Sequence, residues 1–169
     1  IWKYLDAVGE VVAYALRFDP KRNPKFFQPV FRQGEGWVVK APPAPRPLYN
    51  LPKVIASEGP ILFVEGEKCA DIAKRLGFIS TTTFGGANAP QLTDLKPLEG
   101  KEVWILPDND KAGNVYVQKL LTLLSQFQNR PKVKVVFLPD LREGEDLEQF
   151  RYICRRQGMD NEATRQDIL

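Results

Sequence analysis

Three short acidic stretches hold the side chains of this sequence best suited to chemistry: Glu65-Gly66-Glu67, Asp108-Asn109-Asp110 and Gly144-Glu145-Asp146. Each comes after an apolar run, ILFV for the first, VWILP for the second and VVFLP, with a short loop, for the third. Carboxylates gathered at such ends repel one another and lose hydration, which a divalent cation or a helix N-terminus can offset. Histidine is absent and the cysteines are Cys69 and Cys154, which excludes a Cys/His zinc site and histidine-based catalysis within the chain. A metal held here would have oxygen ligands, the preference of Mg2+ or Mn2+.

Helix capping is the competing account of single residues. Asp110 and Asp146 each stand where a helix would start, and Glu67 would be a first-turn acid favoured by the helix dipole. Capping does not account for Glu65 or Asp108, which precede the helices and sit at strand ends. Taken together the acids favour a shared site.

The elements that must position them follow from periodicity. ILFVE, ISTTTF, EVWILP and KVKVVFLP read as short buried strands. KCADIAKRLG, QLTDLKPL, AGNVYVQKLLTLLSQF and a stretch from about Leu147 alternate with them as helical segments. That alternation implies right-handed crossovers and a mainly parallel sheet with helices on both faces, an α/β fold. Functional groups of such sheets gather beyond the carboxyl ends of the strands. If the strands ending at Glu65 and before Asp108 are neighbours, Glu65, Asp108 and Asp110 converge on one point.

The first third reads differently. IWKYL and EVVAYALRF flank the turn Asp6-Ala7-Val8-Gly9, and KFFQPVFR and WVVK flank Gly34-Glu35-Gly36, which predicts two antiparallel hairpins. Pro29 suggests an edge position or a bulge. The proline-rich run 41–52 marks a semi-rigid connector, so the expected division is a small β module over 1–52 and an α/β domain over 53–169.

Residues 1–54 carry nine Lys/Arg against four Asp/Glu, while the whole chain has a net charge of only +3. Lys21, Arg22, Lys25 and Arg32 interleave with Phe26, Phe27, Phe31 and Trp37, a composition that suits single-stranded nucleic acid and equally suits a small aromatic core with solvated charges. No apolar run is long enough to span a bilayer and no secretory pattern opens the chain, so a cytoplasmic protein with no membrane partner is expected. The chain opens on IWKYLD without methionine and reads as a fragment of something longer.

VEGEKCADIAKRLG, TTFGGAN and WILPDNDKAG, taken in that order with the later Gly-Glu-Asp, resemble the Toprim domain shared by DnaG-type primases, topoisomerases and some nucleases. The resemblance covers about 61–158 and is greatest to primases of phages, plasmids and mobile elements, often fused to a helicase. KFFQPVF and RPLYNLP resemble the segment that joins zinc module and Toprim core in such primases; the zinc module itself is absent from this chain. What the resemblance implies is a primase core making primers on a single-stranded DNA template from nucleoside triphosphates with Mg2+ or Mn2+. Glu65 then matches the family's glutamate for proton transfer or metal positioning, Asp108 and Asp110 its metal pair, and Asp146, with Glu145 beside it, a third acidic position.

Lys68 and Lys111 lie just beyond the metal acids, where they can contact phosphates or merely solvate a first helical turn. Gly85 and Gly86, with Ala87 and Asn88, can present amides to a phosphate or form a tight turn. A Toprim nuclease, with metal-activated water as nucleophile, and a non-catalytic nucleic-acid-binding module are the rival functions. A haloacid dehalogenase phosphatase is disfavoured because Lys111-Ala112 follows the Asp-x-Asp, and no GxxxxGK[ST] loop is present for an ATPase.

Overall fold

The computed structural model describes residues 1–21, 24–86 and 89–169. It contains two four-stranded sheets. The first is antiparallel, formed by β1 (Trp2–Leu5), β2 (Val11–Phe18), β3 (Phe26–Gln33) and β4 (Gly36–Val38) in that spatial order. The second is parallel, formed by β5 (Ile61–Val64), β6 (Ile79–Thr81), β7 (Glu102–Leu106) and β8 (Lys132–Val135) in the order β6-β5-β7-β8. Five helices accompany them among the described residues: α1 (Leu51–Ala56), α2 (Glu67–Arg75), α3 (Lys111–Leu124), α4 (Leu147–Arg156) and α5 (Asn161–Gln166).

Strand β5 shows why the parallel sheet is central. All four of its residues are buried, with Ile61 and Phe63 in one apolar cluster and Leu62 and Val64 in the other. Alternate side chains of one strand therefore feed cores on both faces. Helix α3 covers the first face with Tyr116, Val117, Leu120 and Leu124, helped by Val54 of α1. Helices α2 and α4 cover the other through Ala70, Ile72, Ala73, Leu147 and Phe150.

The antiparallel sheet packs on that second face. Tyr4, Ala13 and Ala15 belong to the same buried cluster as α2 and α4. Three polar contacts tie the sheet and the connector to α2. The Tyr4 hydroxyl donates to Glu67 at 2.6 Å, Trp2 Nε1 to Asp71 at 2.8 Å, and the Tyr49 hydroxyl to Asp71 at 2.9 Å.

Some elements differ from the sequence expectation for identifiable reasons. Pro29 lies within β3, which has a neighbour on each side, yet β4 pairs only with Phe31–Gln33. Pro29 is past the end of β4, so its missing N–H interrupts no ladder there. Leu51 and Pro52 of the proline-rich connector already begin α1, where proline in a first turn removes only an unpaired donor. QLTDLKPL forms two short 3-10 turns, Pro90–Leu92 and Lys96–Leu98, each with a proline at its start and Thr93 extended between them. The terminal helical stretch is two helices, separated near Gly158, whose φ of 83° breaks the helix. No helix among the described residues is long and apolar enough to cross a membrane.

Candidate active site

Strands β5 and β7 are parallel neighbours, with Val64 opposite Leu106. Their carboxyl ends therefore bring Glu65 and Asp108 together, and Glu65 Oε2 accepts a hydrogen bond of 3.3 Å from the Asp108 amide. The third acidic stretch reaches the same edge through Asn109, the residue between the two aspartates. Asn109 Nδ2 donates to the carbonyls of Leu141 and Arg142 at 2.9 and 3.0 Å, and its amide donates to Glu145 O at 2.9 Å. The Gly144 amide donates back to Asn109 O at 2.8 Å. This lacing sets Asp146 against Asp108. Ligand atoms of Cys69, Asp108 and Asp146 all lie within 4.8 Å of one another.

The acids differ in what else holds them. Asp110 caps α3, accepting from the Gly113 amide at 2.7 Å. Asp146 caps α4, accepting from the Glu148 amide at 2.6 Å in a capping box completed by Gln149. Capping and site membership are thus not alternatives for Asp146, whose other side faces Asp108. Glu145 turns away and accepts from the Arg142 amide at 2.7 Å, closing its own loop.

Burial, and then the charge of Asp108, push the Glu65 carboxyl up to about 7. Burial, and then the charge of Asp146, push Asp108 up to about 6. A hydrogen bond with the Glu65 side chain, and then the charge of Lys25, work the other way on Asp108. Burial followed by the two aspartates pushes the Cys69 thiol well above its ordinary value, so it stays protonated beside Asp146. A pair of partly buried carboxylates with so little compensation fits a divalent cation with hard oxygen ligands, held by Asp108 and Asp146. Cys69 fits as a support for Asp146 in that arrangement, and sequence reasoning missed it because a cysteine in a helical run carries no signal of what it faces.

A cleft of about 450 Å³ opens over these acids. Glu65, Asp108 and Asp146 form one wall, and Arg17, Lys25 and Lys68 contribute cations. Arg17 is held by Asp19 through Nε at 2.9 Å, and Lys68 by an ion pair with Glu148 across the entrance between α2 and α4. Beside the cleft a more apolar cavity of about 310 Å³ is lined by Phe27, Phe84, Arg46, Gly85 and Gly86.

The remaining sequence-predicted residues fall in several places. Lys111 is exposed at the start of α3 and does not line the cleft. Gly85 and Gly86 have φ of 99° and 65°, and the Gly86 amide is used within the turn, donating to Thr83 O at 3.4 Å. Lys21 is exposed, and Arg32 lies on the outer face of β3 opposite Trp37. Arg22, Ala87 and Asn88 lie outside the described residues.

Gly113 is the least replaceable neighbour of the site. A Cβ there would stand 2.2 Å from the Asp108 carbonyl oxygen, which is backbone and cannot swing aside. Gly113→Ala is expected to displace the 107–110 loop at a cost of roughly 1–3 kcal/mol and to weaken Mn2+ binding. Chemical denaturation with Mn2+ titration checks this; an alanine variant matching the parent in both would show that the loop yields freely.

Comparison with known proteins adds the fold. No family model matches the sequence, and no curated protein matches it. Solved structures do. The primase fragment of the bacteriophage T7 primase-helicase protein aligns with a TM-score of 0.60 at 17% identity, over 99% of this chain and 60% of that one. A DNA primase domain from Pseudomonas aeruginosa aligns with a TM-score of 0.63 at 21% identity, over 96% of this chain and 48% of that one. The zinc-binding and RNA polymerase domains of the Aquifex aeolicus primase align with a TM-score of 0.59 at 21% identity, over 98% of this chain and 38% of that one. The chain has the fold of DnaG-type primase fragments, the parallel sheet with its helices and the smaller antiparallel sheet together, and spans less than two thirds of each of these three structures.

Proposed function

We propose that the cleft is the nucleotidyl-transfer site of a primase, which joins nucleotides into primers on a single-stranded DNA template. The observation that carries this reading is the meeting of Glu65, Asp108 and Asp146 at the carboxyl edge of the parallel sheet, with Arg17 and Lys25 across the same cleft. Mg2+ or Mn2+ bound to Asp108 and Asp146 would supply charge neutralisation for the nucleotide's phosphates, chemistry that needs no protein nucleophile.

The chain's own groups do the rest. Asp108 and Asp146 hold the metal ligand positions, with Asp110 adding negative charge from the cap of α3. Glu65, whose affinity for a proton lies near neutral pH, suits acceptance of the proton from the attacking hydroxyl at its carboxylate. Lys25 offsets the charge of phosphates entering the cleft. Lys68 joins it on leaving Glu148, an exchange of one anionic partner for another. Gly85 and Gly86 border the cleft through the adjoining cavity, and Lys111, exposed at the start of α3 outside the cleft, adds positive charge for phosphates. Lys21, Arg22, Lys25 and Arg32 supply positive charge for the single-stranded template, Lys25 within the cleft and Arg32 on the outer face of β3.

The division into a β module over 1–52 and a Toprim domain over 53–169 belongs to the same proposal, with the cleft between them as the working surface. So does a longer parent protein, from a phage, plasmid or mobile element, that works in the cytoplasm and carries a helicase. The test is template-directed joining of ribonucleotides or deoxyribonucleotides by the parent protein with Mg2+ or Mn2+. Labelled primers on a single-stranded template support the reading. Cleavage of the template with no primer would replace it with a nuclease, in which Glu65 would activate water, and neither activity would leave a nucleic-acid-binding module.

A further inference from the structure

We infer that the outer face of the antiparallel sheet is a stacking platform for single-stranded nucleic acid, separate from the cleft. Strand alternation divides the aromatic residues of β1–β4 between two faces. Trp2, Tyr4, Phe27 and Phe31 point inward, where Tyr4 is fully buried, Trp2 and Phe31 pack against the core, and Phe27, 51% exposed, lines the cleft and the adjoining cavity. Tyr14, Phe18, Phe26 and Trp37 point outward, with Tyr14 half-buried and the other three exposed. Phe18, Phe26 and Trp37 are 41%, 49% and 47% exposed, large values for residues of a paired strand.

The outward rings are arranged in pairs. Phe18 and Phe26 stack with centroids 4.9 Å apart and planes 10° from parallel, and Tyr14 meets Trp37 at 5.1 Å across β3. Two cations share the face: Lys3 stands opposite Tyr14 and Arg32 opposite Trp37. The four strands contain Lys3, Arg17 and Arg32 and no carboxylate. Exposed rings beside cations, without acids, complement a chain of phosphates whose bases need a partner, because every base has a stacking face. Since Lys25 and Arg17 line the cleft on the opposite side, this face is a second contact surface. It rests on the sheet's own geometry together with the proposal that single-stranded nucleic acid is what the protein meets.

The test is binding of a labelled single-stranded oligodeoxythymidylate to the 169-residue chain, followed by fluorescence anisotropy. Phe26→Ala/Trp37→Ala is expected to weaken binding about tenfold or more, in line with the loss of base stacking. Trp37→Phe, which keeps a ring, should retain most of the affinity, and Lys3→Gln/Arg32→Gln should flatten the salt dependence. Circular dichroism and Mn2+ binding at the cleft should be unchanged in all of them. Parental affinity in the double alanine variant would overturn the platform. So would a parent chain that binds no oligonucleotide, or one that self-associates through this face and becomes monomeric on substitution. A chain that binds through this face but joins no nucleotides in the parent protein would keep the platform and remove the catalytic reading.

Discussion

Asp108→Asn is expected to lower template-directed nucleotide joining by about 10²–10³-fold or more, the scale on which loss of one transition-state electrostatic partner is felt. The fold should survive. Asp108 lies beside Asp146 and Asp110, whose charges are offset only by a hydrogen bond with Glu65 and, more weakly, by Lys25, so removing its charge relieves repulsion in the metal-free protein. The substituted amide keeps the shape of the side chain. Asp110 separates charge from capping in the same assay. Asparagine caps a helix about as well as aspartate, so Asp110→Asn should leave stability nearly unchanged, whereas Asp110→Ala should cost about 1 kcal/mol. If activity falls in both, the charge of Asp110 matters to the chemistry; if only the alanine variant is impaired, Asp110 is a cap alone. Primer synthesis measured alongside thermal melts decides between these.

Without metal, stability is expected to fall as pH rises from about 4 to about 7. Glu65 binds its proton more tightly in the fold, at about 7 against an ordinary 4.5, and Asp108 at about 6 against 3.8. Between those limits the native state carries protons that the unfolded chain has released. Stability is therefore highest at the acid end, declines through the window and levels off above about 7. Saturating Mn2+ should abolish the decline, because the ion replaces the protons as compensation. Glu65→Gln should flatten it without metal and raise the melting temperature at pH 7.5, by roughly 2–4 °C for each kcal/mol relieved. Melting curves at several pH values check this, and a parent protein that grows steadily more stable from pH 4 to 7.5 without metal would contradict it.

The parallel sheet was legible because β5 and β7 are short, apolar and bounded by breakers, and because segments such as KCADIAKRL and the helix after Asp110 keep a helical period. The first two acids were legible for the same reason: a carboxylate that directly follows such a strand lies at its carboxyl edge whatever the strand order, and only the adjacency of β5 and β7 had to be supplied. Less could be read where the partner is distant. Nothing local in Asn109 announces that it laces the 107–110 loop to the 141–146 loop. Nothing in Cys69 shows that its thiol meets Asp146. The pairing of Lys68 with Glu148 is likewise a contact between two helix starts 80 residues apart. In the antiparallel sheet the choice between aromatic core and exposed aromatic surface could not be made from sequence. It resolves into both, because the core of that sheet is completed by α2 and α4 and leaves the other face uncovered.

Mn2+ binding followed by electron paramagnetic resonance, with and without a nucleoside triphosphate, tests the site most directly. The account predicts that the 169-residue chain binds Mn2+, that the triphosphate tightens this binding, and that Asp108→Asn/Asp146→Asn loses both effects while remaining folded. A double variant that binds Mn2+ and responds to the triphosphate as the parent does would contradict it.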